Sequence, residues 1–309
     1  MIKPYKLNPG ATIGIVSPSY HIDEKIFERT SQIFRDHGFN IVEGKSVRLI
    51  DNLYSGTPEQ RAQDINEMFA NPEIDAIICA RGGYGANRVL PLLDFEIIRQ
   101  NPKIFIGYSD ITDYLTSITQ KTGLVTFHGP MLTSYKNGFI EYNYNHFIKC
   151  LGGDFPLTIE AHSDLQSRVL KRGKAIGPLW GGNLCLLSNR LGAPGSINTN
   201  GTILFIEDVN EQLYRFDRMM VHMQKAGIFE KINGLIVGEL VDMQDTDPPF
   251  GKTSDAIIMD VCGDLDIPII TNFPCGHGKY QATLPISISA ELVATTEKPT
   301  LTILESPVI

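Results

Sequence analysis

Basic stretches, paired cysteines and long apolar runs are all missing from this chain. Lys and Arg number 27 against 35 Asp and Glu, a formal net charge of −8 without any Lys/Arg run. Phosphate backbones and anionic membrane surfaces both need a basic face, so neither nucleic acid nor membrane is expected as a partner. The five cysteines (Cys79, Cys150, Cys185, Cys262 and Cys275) are odd in number, irregular in spacing and never arranged as C-x-x-C. That argues against a disulfide framework and against a zinc site, and suits reduced thiols in a cytoplasmic protein. No apolar run approaches the roughly 18 residues that span a bilayer. The opening Met-Ile-Lys-Pro-Tyr-Lys lacks the charged, apolar and small-residue regions of a secretory signal. Neither G-x-G-x-x-G nor a Walker lysine occurs, which weighs against a dinucleotide or triphosphate cofactor. The expectation is therefore no metal and no cofactor.

What is present is an ordinary globular composition, 42% hydrophobic and 20% charged over 309 residues. That length suits about two domains. The first half alternates short β-branched strands with helical spacing. Strands are expected at 11–17, 39–43, 76–80, 103–106 and 124–127. Helices are expected at 22–37, from Thr57 onward, at 86–98 and at about 110–122. Thr57-Pro58-Glu59-Gln60 reads as a capping box with proline in the first turn. Such alternation implies a parallel sheet covered on both faces, with ligands outside the C-terminal strand ends. From 131 to about 172 the periodicity weakens, so the division expected is 1–150, a linker at 151–172, and 173–309. The second part carries strands at 202–206 and 235–237, helices at 212–226 and 254–262, a strand at 267–271 leading into a Pro/Gly loop, and antiparallel alternation over 286–303.

Four constellations could carry chemistry. In Gly107-Tyr108-Ser109-Asp110-Ile111-Thr112 a strand runs directly into a helix with serine at the junction. This is the setting of a nucleophile elbow, in which the helix N-terminus favours developing negative charge and the Asp110 N–H could hold an oxyanion. The G-x-S-x-G pattern is not met, and Ser109 or Asp110 would serve equally as a plain N-cap. Arg81-Gly82-Gly83-Tyr84-Gly85 after a buried strand suits an anion-binding nest as well as a tight turn. Glu207-Asp208 after an apolar strand offers two carboxylates, either of which could orient a histidine. Gly276-His277-Gly278 offers a histidine without apolar shelter, a plausible general base, with His128 in Phe127-His128-Gly129 the competitor. Trp180, the only tryptophan, precedes a glycine pair and could line a pocket or pack on a turn.

Taken in order, these segments resemble the LD-carboxypeptidase family of serine peptidases, which includes murein tetrapeptide carboxypeptidases and microcin-C-immunity peptidases. The matching pieces are Ser17-Pro18-Ser19, A-R-G-G-Y-G-A from Ala80, G-Y-S-D-I-T from Gly107, T-G-L-V-T-F-H-G-P from Thr122, G-G-N-L from Gly181, F-I-E-D from Phe205, and G-H-G from Gly276. They cover nearly the whole chain. The resemblance implies a flavodoxin-like parallel-sheet N-terminal domain and a smaller β-rich α/β C-terminal domain. It also implies a Ser109–His277–Glu207 triad, which selects Glu207 over Asp208 and His277 over His128.

The chemistry so implied is metal-free acyl transfer. The backbone N–H groups of Asp110 and Gly83 would stabilise the oxyanion, and Arg81 would meet the free carboxylate of the substrate. Trp180 is a further candidate substrate contact. The implied substrate is a cytoplasmic muropeptide whose terminal D-Ala follows the L-centre of a diamino acid, the implied process is peptidoglycan recycling, and the family suggests a homodimer. The nearest rival is a microcin-immunity-type peptidase acting on peptidyl or aminoacyl nucleotide amides, for which 242–252 could shape a different pocket. A non-catalytic peptide-binding module would not need Ser109, Glu207 and His277 together.

Overall fold

The computed structural model describes residues 1–193, 195–295 and 298–309. Its strands in the first half are β1 (Thr12–Val16), β2 (Asn40–Glu43), β3 (Ala76–Cys79), β4 (Ile104–Gly107) and β5 (Phe127–His128). Then come β6 (Leu157–Ile159), β7 (Arg168–Lys171), β8 (Gly173–Asn183), β9 (Ile203–Val209), β10 (Gly234–Val241) and β11 (Ile269–Gly276). The last are β12 (Leu284–Pro285), β13 (Ser289–Ala294) and β14 (Thr300–Ile303). The helices are α1 (Glu24–Asp36), α2 (Pro58–Ala70), α3 (Ala86–Val89), α4 (Phe95–Gln100), α5 (Thr112–Thr122), α6 (Glu141–Gly152), α7 (Leu184–Asn189), α8 (Leu213–Lys225) and α9 (Ser254–Cys262).

The chain divides into two units. The first comprises Met1–Asp154, Thr283–Ile286 and Ser306–Ile309, the second Phe155–Ala282 and Ser287–Glu305. In the first, the sheet order is β12-β5-β4-β3-β1-β2, with β1 to β5 parallel and β12 antiparallel on the edge. The order 2-1-3-4-5 is that of flavodoxin-like doubly wound sheets. The central strands are buried end to end, among them Ile13, Ile15, Ile77, Ile78, Phe105 and Ile106. A strand covered on both faces needs such continuous apolar runs. The expected capping box at Thr57 is formed: Thr57 Oγ1 accepts from Gln60 N, and Gln60 Oε1 accepts from Thr57 N.

Three sequence expectations are corrected in this unit. The helix expected over 86–98 is broken by a 3₁₀ turn at Leu90–Leu92, where Pro91 cannot donate to the helical ladder, and Asp94 recaps the chain into α4. The strand expected over 124–127 shortens to Phe127–His128. Within the weakly patterned stretch, α6 forms and buries Phe147, Cys150 and Leu151.

In the second unit the order is β6-β14-β13-β8-β9-β10-β11-β7. Strands β8 to β11 are parallel and the flanking strands antiparallel. Strands β6 and β7 lie within the segment expected as a linker, so 151–172 contributes two short strands to the second sheet. A core cluster of Leu204, Ile206, Phe216, Met220, Leu235, Val237, Ile257 and Ile258 seats α8 and α9 on the parallel part of the sheet. Residues 296 and 297, inside the expected 286–303 alternation, lie outside the described residues. Among the described residues, no helix is long and apolar enough to cross a membrane.

Candidate active site

In the first unit, the loops after β1, β3 and β4 converge, as the topology of a doubly wound sheet dictates. Ser109 follows β4 directly and opens a 3₁₀ turn that continues into α5. Its φ is +64°. Six non-glycine residues among those described take positive φ, and four are Asn or Asp (Asn52, Asn210, Asp242 and Asn272), which tolerate it. A serine there carries strain, on the order of 1–3 kcal/mol, that surrounding contacts must hold in place.

Those contacts are visible. A Cβ on Gly82 would lie 2.9 Å from Ser109 Cβ and 3.1 Å from its Oγ, so the glycine-rich loop approaches the serine as only glycine allows. Tyr20 N donates to the Gly82 carbonyl at 3.4 Å. In a trans peptide the next N–H, that of Gly83, therefore projects to the opposite side, away from Tyr20 N. Gly83 itself (φ +134°) is pressed against the Tyr20 ring, 2.3 Å from where a Cβ would stand.

Beneath this surface lies a polar floor. Asp110, 1% exposed, accepts from Ser19 Oγ at 2.5 Å and from Ala86 N at 3.0 Å. It thereby ties the β1 loop and the start of α3 to the residue after Ser109. Burial raises its pKa, opposed by those hydrogen bonds and by the Arg61 charge. Arg61 and Tyr114, both buried, donate to the Pro18 carbonyl at 3.0 and 2.9 Å. The Ser17-Pro18-Ser19 segment is thus held from both sides. Arg81 donates to the His21 carbonyl at 3.1 Å, with its guanidinium 5.5 Å from the Tyr20 ring centre. His128 is buried on β5, paired with Gly107 on one side and Leu284 on the other.

In the second unit, Glu207 and His277 are brought together. His277 Nδ1 stands 2.7 Å from Glu207 Oε2; the glutamate side chain is fully buried and the histidine 17% exposed. Burial alone would lower the histidine's pKa. The Glu207 charge and hydrogen bond, with a smaller contribution from Asp208, outweigh it and hold the imidazole above its ordinary value. The turn is built around this pair: a Cβ on Gly276 would fall 2.5 Å from Glu207 Oε2.

Glu207 and Asp208 are neighbours on β9 and so face opposite sides of the sheet. Asp208 takes no part in the histidine contact. It accepts from Asn183 Nδ2 (3.1 Å), Cys185 N (3.1 Å) and Val209 N (2.9 Å), and burial together with the Glu207 charge pushes its pKa up to about 7. Trp180, on β8 opposite Leu204, packs partly buried against the core cluster. Among the described residues, no group of three or more His, Cys, Asp or Glu side chains is placed to hold a metal ion.

Two features escaped the sequence. One is the Ser19–Asp110 link, which joins residues 91 positions apart. The other is Glu239, on β10, against whose carboxylate Gly278 packs: a Cβ there would lie 1.7 Å from Oε1. A glutamate directly after the apolar run Leu235-Ile236-Val237-Gly238 was the available signal, the same pattern that marked Glu207.

A flavodoxin-type sheet with a strained serine after its fourth strand, and a second sheet bearing a buried Glu–His pair, define a mixed α/β protein with hydrolase-type side chains. More narrowly, the chain belongs to the LD-carboxypeptidase family. The family's N-terminal domain matches residues 13–129 and its C-terminal domain residues 176–292. Among similar proteins, the probable murein peptide carboxypeptidase of Bacillus subtilis is 34% identical over 304 residues, covering 94% of this chain and 91% of its own. The microcin C7 self-immunity protein MccF of Escherichia coli is 32% identical over 311 residues, covering 90% and 89%. Among solved structures, MccF in complex with glutamyl sulfamoyl guanosine superposes with TM-score 0.92 at 28% identity, covering both chains fully. Muramoyltetrapeptide carboxypeptidase from Oxalobacter formigenes superposes with TM-score 0.87 at 29% identity, covering 96% of this chain and 100% of its own.

Proposed function

We propose that this chain is a cytoplasmic serine carboxypeptidase that releases the terminal D-Ala from muropeptide tetrapeptides in peptidoglycan recycling, with Ser109, His277 and Glu207 as its triad. The observation that carries this reading is the left-handed backbone of Ser109 at the β4–α5 elbow, with Gly82 packed against its side chain. The relatives named as murein peptidases support the substrate class.

In this mechanism His277, held through Nδ1 by Glu207, takes the Ser109 proton as the hydroxyl oxygen attacks the carbonyl before D-Ala. The N–H groups of Asp110 and Gly83 donate to the oxyanion; losing one such donor typically costs about 10²–10³ in rate. His277 then passes its proton to the departing D-Ala nitrogen, and water, deprotonated by His277, frees the acyl group from Ser109. Arg81, already anchored through His21 and Tyr20, offers its remaining donors to the substrate's carboxylate. No step calls on a metal.

The superposition on MccF favours a second reading, hydrolysis of aminoacyl or peptidyl nucleotide amides by the same residues. Mass spectrometry separates the two. The protein is incubated with a tetrapeptide ending in D-Ala and, separately, with an aminoacyl sulfamoyl nucleotide. Loss of one D-Ala with the nucleotide intact bears out the first reading; cleavage of the nucleotide conjugate alone replaces it with the second.

A further inference from the structure

Glu239 lies on β10 just past Gly238, where the pairing with β11 shifts register, and stands opposite Gly276. A Cβ on Gly278 would come within 1.7 Å of its Oε1 and 2.1 Å of its Cδ, so the carboxyl group rests against the backbone of the residue that follows His277. Oε1 is buried and finds no hydrogen-bond partner among the described residues. Burial pushes the pKa to about 7. The carboxylates of Glu207 and Glu239 thus approach the same turn from adjacent strands. Glu207 engages His277 through Oε2, whereas the Glu239 carboxyl group faces the backbone of Gly278. A buried carboxylate oxygen is satisfied best by a charged donor, because burial removes the water that would otherwise serve it.

We propose that Glu239 anchors a subsite for an alkylammonium group of the substrate. The inference rests on the peptidase reading above, in which that group is the free amine of the diamino residue whose carbonyl Ser109 attacks. Consecutive Cα atoms are about 3.8 Å apart, so a carboxylate packed on Gly278 is one residue step from the base. The flexible stem of a diamino acid covers such a step and ends in a compact ammonium with three donors.

The test compares D-Ala release from two tetrapeptides, one with the diamino side-chain amine free and one with it acetylated, by the wild type and by Glu239→Gln. The expected wild-type preference for the free amine is at least about tenfold in kcat/KM, the order expected when a charge-assisted hydrogen bond is lost. In Glu239→Gln the ratio should collapse toward one. A purely structural glutamate would slow both substrates together and leave the ratio unchanged; that result, or no preference in the wild type, overturns the subsite. Release of D-Ala from neither tetrapeptide refutes the peptidase reading instead. The same comparison is then made on an aminoacyl sulfamoyl nucleotide with its α-amine free or acetylated. A preference abolished by Glu239→Gln would assign the subsite to an α-ammonium, and equal cleavage of both forms would overturn it.

Discussion

Replacing Glu207 by glutamine keeps the size of the side chain and removes its charge. The wild-type contact is a 2.7 Å hydrogen bond from His277 Nδ1 to a carboxylate with no solvent exposure, so little water screens it. A hydrogen bond to a charged group contributes about 1.5–3 kcal/mol net. At about 1.4 kcal/mol per decade, that predicts a fall of roughly ten- to a hundredfold in kcat/KM, because the imidazolium formed in the transition state loses its stabilising charge. If the amide turns its NH₂ toward Nδ1, the base is left in the wrong tautomer and the loss grows to the order of 10⁴. The pH profile carries a second signature. Glu207 holds the His277 pKa above its ordinary value, and the base works only when neutral. Wild-type kcat/KM should therefore fall as pH drops through that raised pKa. In Glu207→Gln the plateau should drop while the acidic limb moves to lower pH. The assay is D-Ala release at saturating and limiting substrate between about pH 5 and pH 9. An acidic limb that stays in place, or a plateau that survives, would refute the assignment of Glu207 as the partner of the base.

Three further outcomes follow from the geometry. Gly82→Ala places a methyl 2.9 Å from Ser109 Cβ, and should lower kcat at least about tenfold with Tm changed by only a few degrees; an unaffected kcat would mean the glycine loop plays no part at Ser109. Thr57→Ala removes one half of the α2 capping box and should cost about 1 kcal/mol in denaturant unfolding without altering D-Ala release; unchanged stability would contradict the capping geometry. Burial raises the pKa of Asp208 from 3.8, and that of Glu239 from 4.5, to about 7. An acid whose folded pKa lies above its unfolded value keeps its full stability below the unfolded value and loses it as pH rises through the folded one. Thermal stability without ligand should thus decline between about pH 4 and pH 7, less steeply in Glu239→Gln, and calorimetry showing an equal slope in both proteins would contradict the burial of that carboxyl group.

Much of this fold is legible because local and tertiary preferences agree. The short, β-branched apolar run at Ala76–Cys79 suits a strand covered on both faces, and Thr57-Pro58-Glu59-Gln60 states where a helix begins. The extent of α9 matches its expected span because Thr253 caps it. Helix α6 was hidden because Glu141-Tyr142-Asn143-Tyr144-Asn145 is poor in strong helix formers; the burial of Phe147, Cys150 and Leu151 stabilises it instead. Strand β12 has two residues, and its pairing with β5 spans more than 150 positions, which no local pattern encodes.

The site divides in the same way. Serine at a strand–helix junction and histidine between glycines were visible as chemistry. The choice between Glu207 and Asp208 was not, because adjacent strand residues differ only in the face they take. The polar floor under Ser109 joins Ser19, Ala86 and Asp110, three loops that the sheet topology alone brings together. Glu239 shares with Glu207 a place after an apolar strand run, but its packing against the backbone of Gly278 is set by the fold and not by any local pattern.

The most direct test of the central claim is D-Ala release by the wild type and by Ser109→Ala, both in EDTA. The account predicts full release by the wild type, and a loss in the variant of at least about 10⁴-fold in kcat, as expected when a triad nucleophile is removed. A variant that releases D-Ala at a rate near that of the wild type would contradict it.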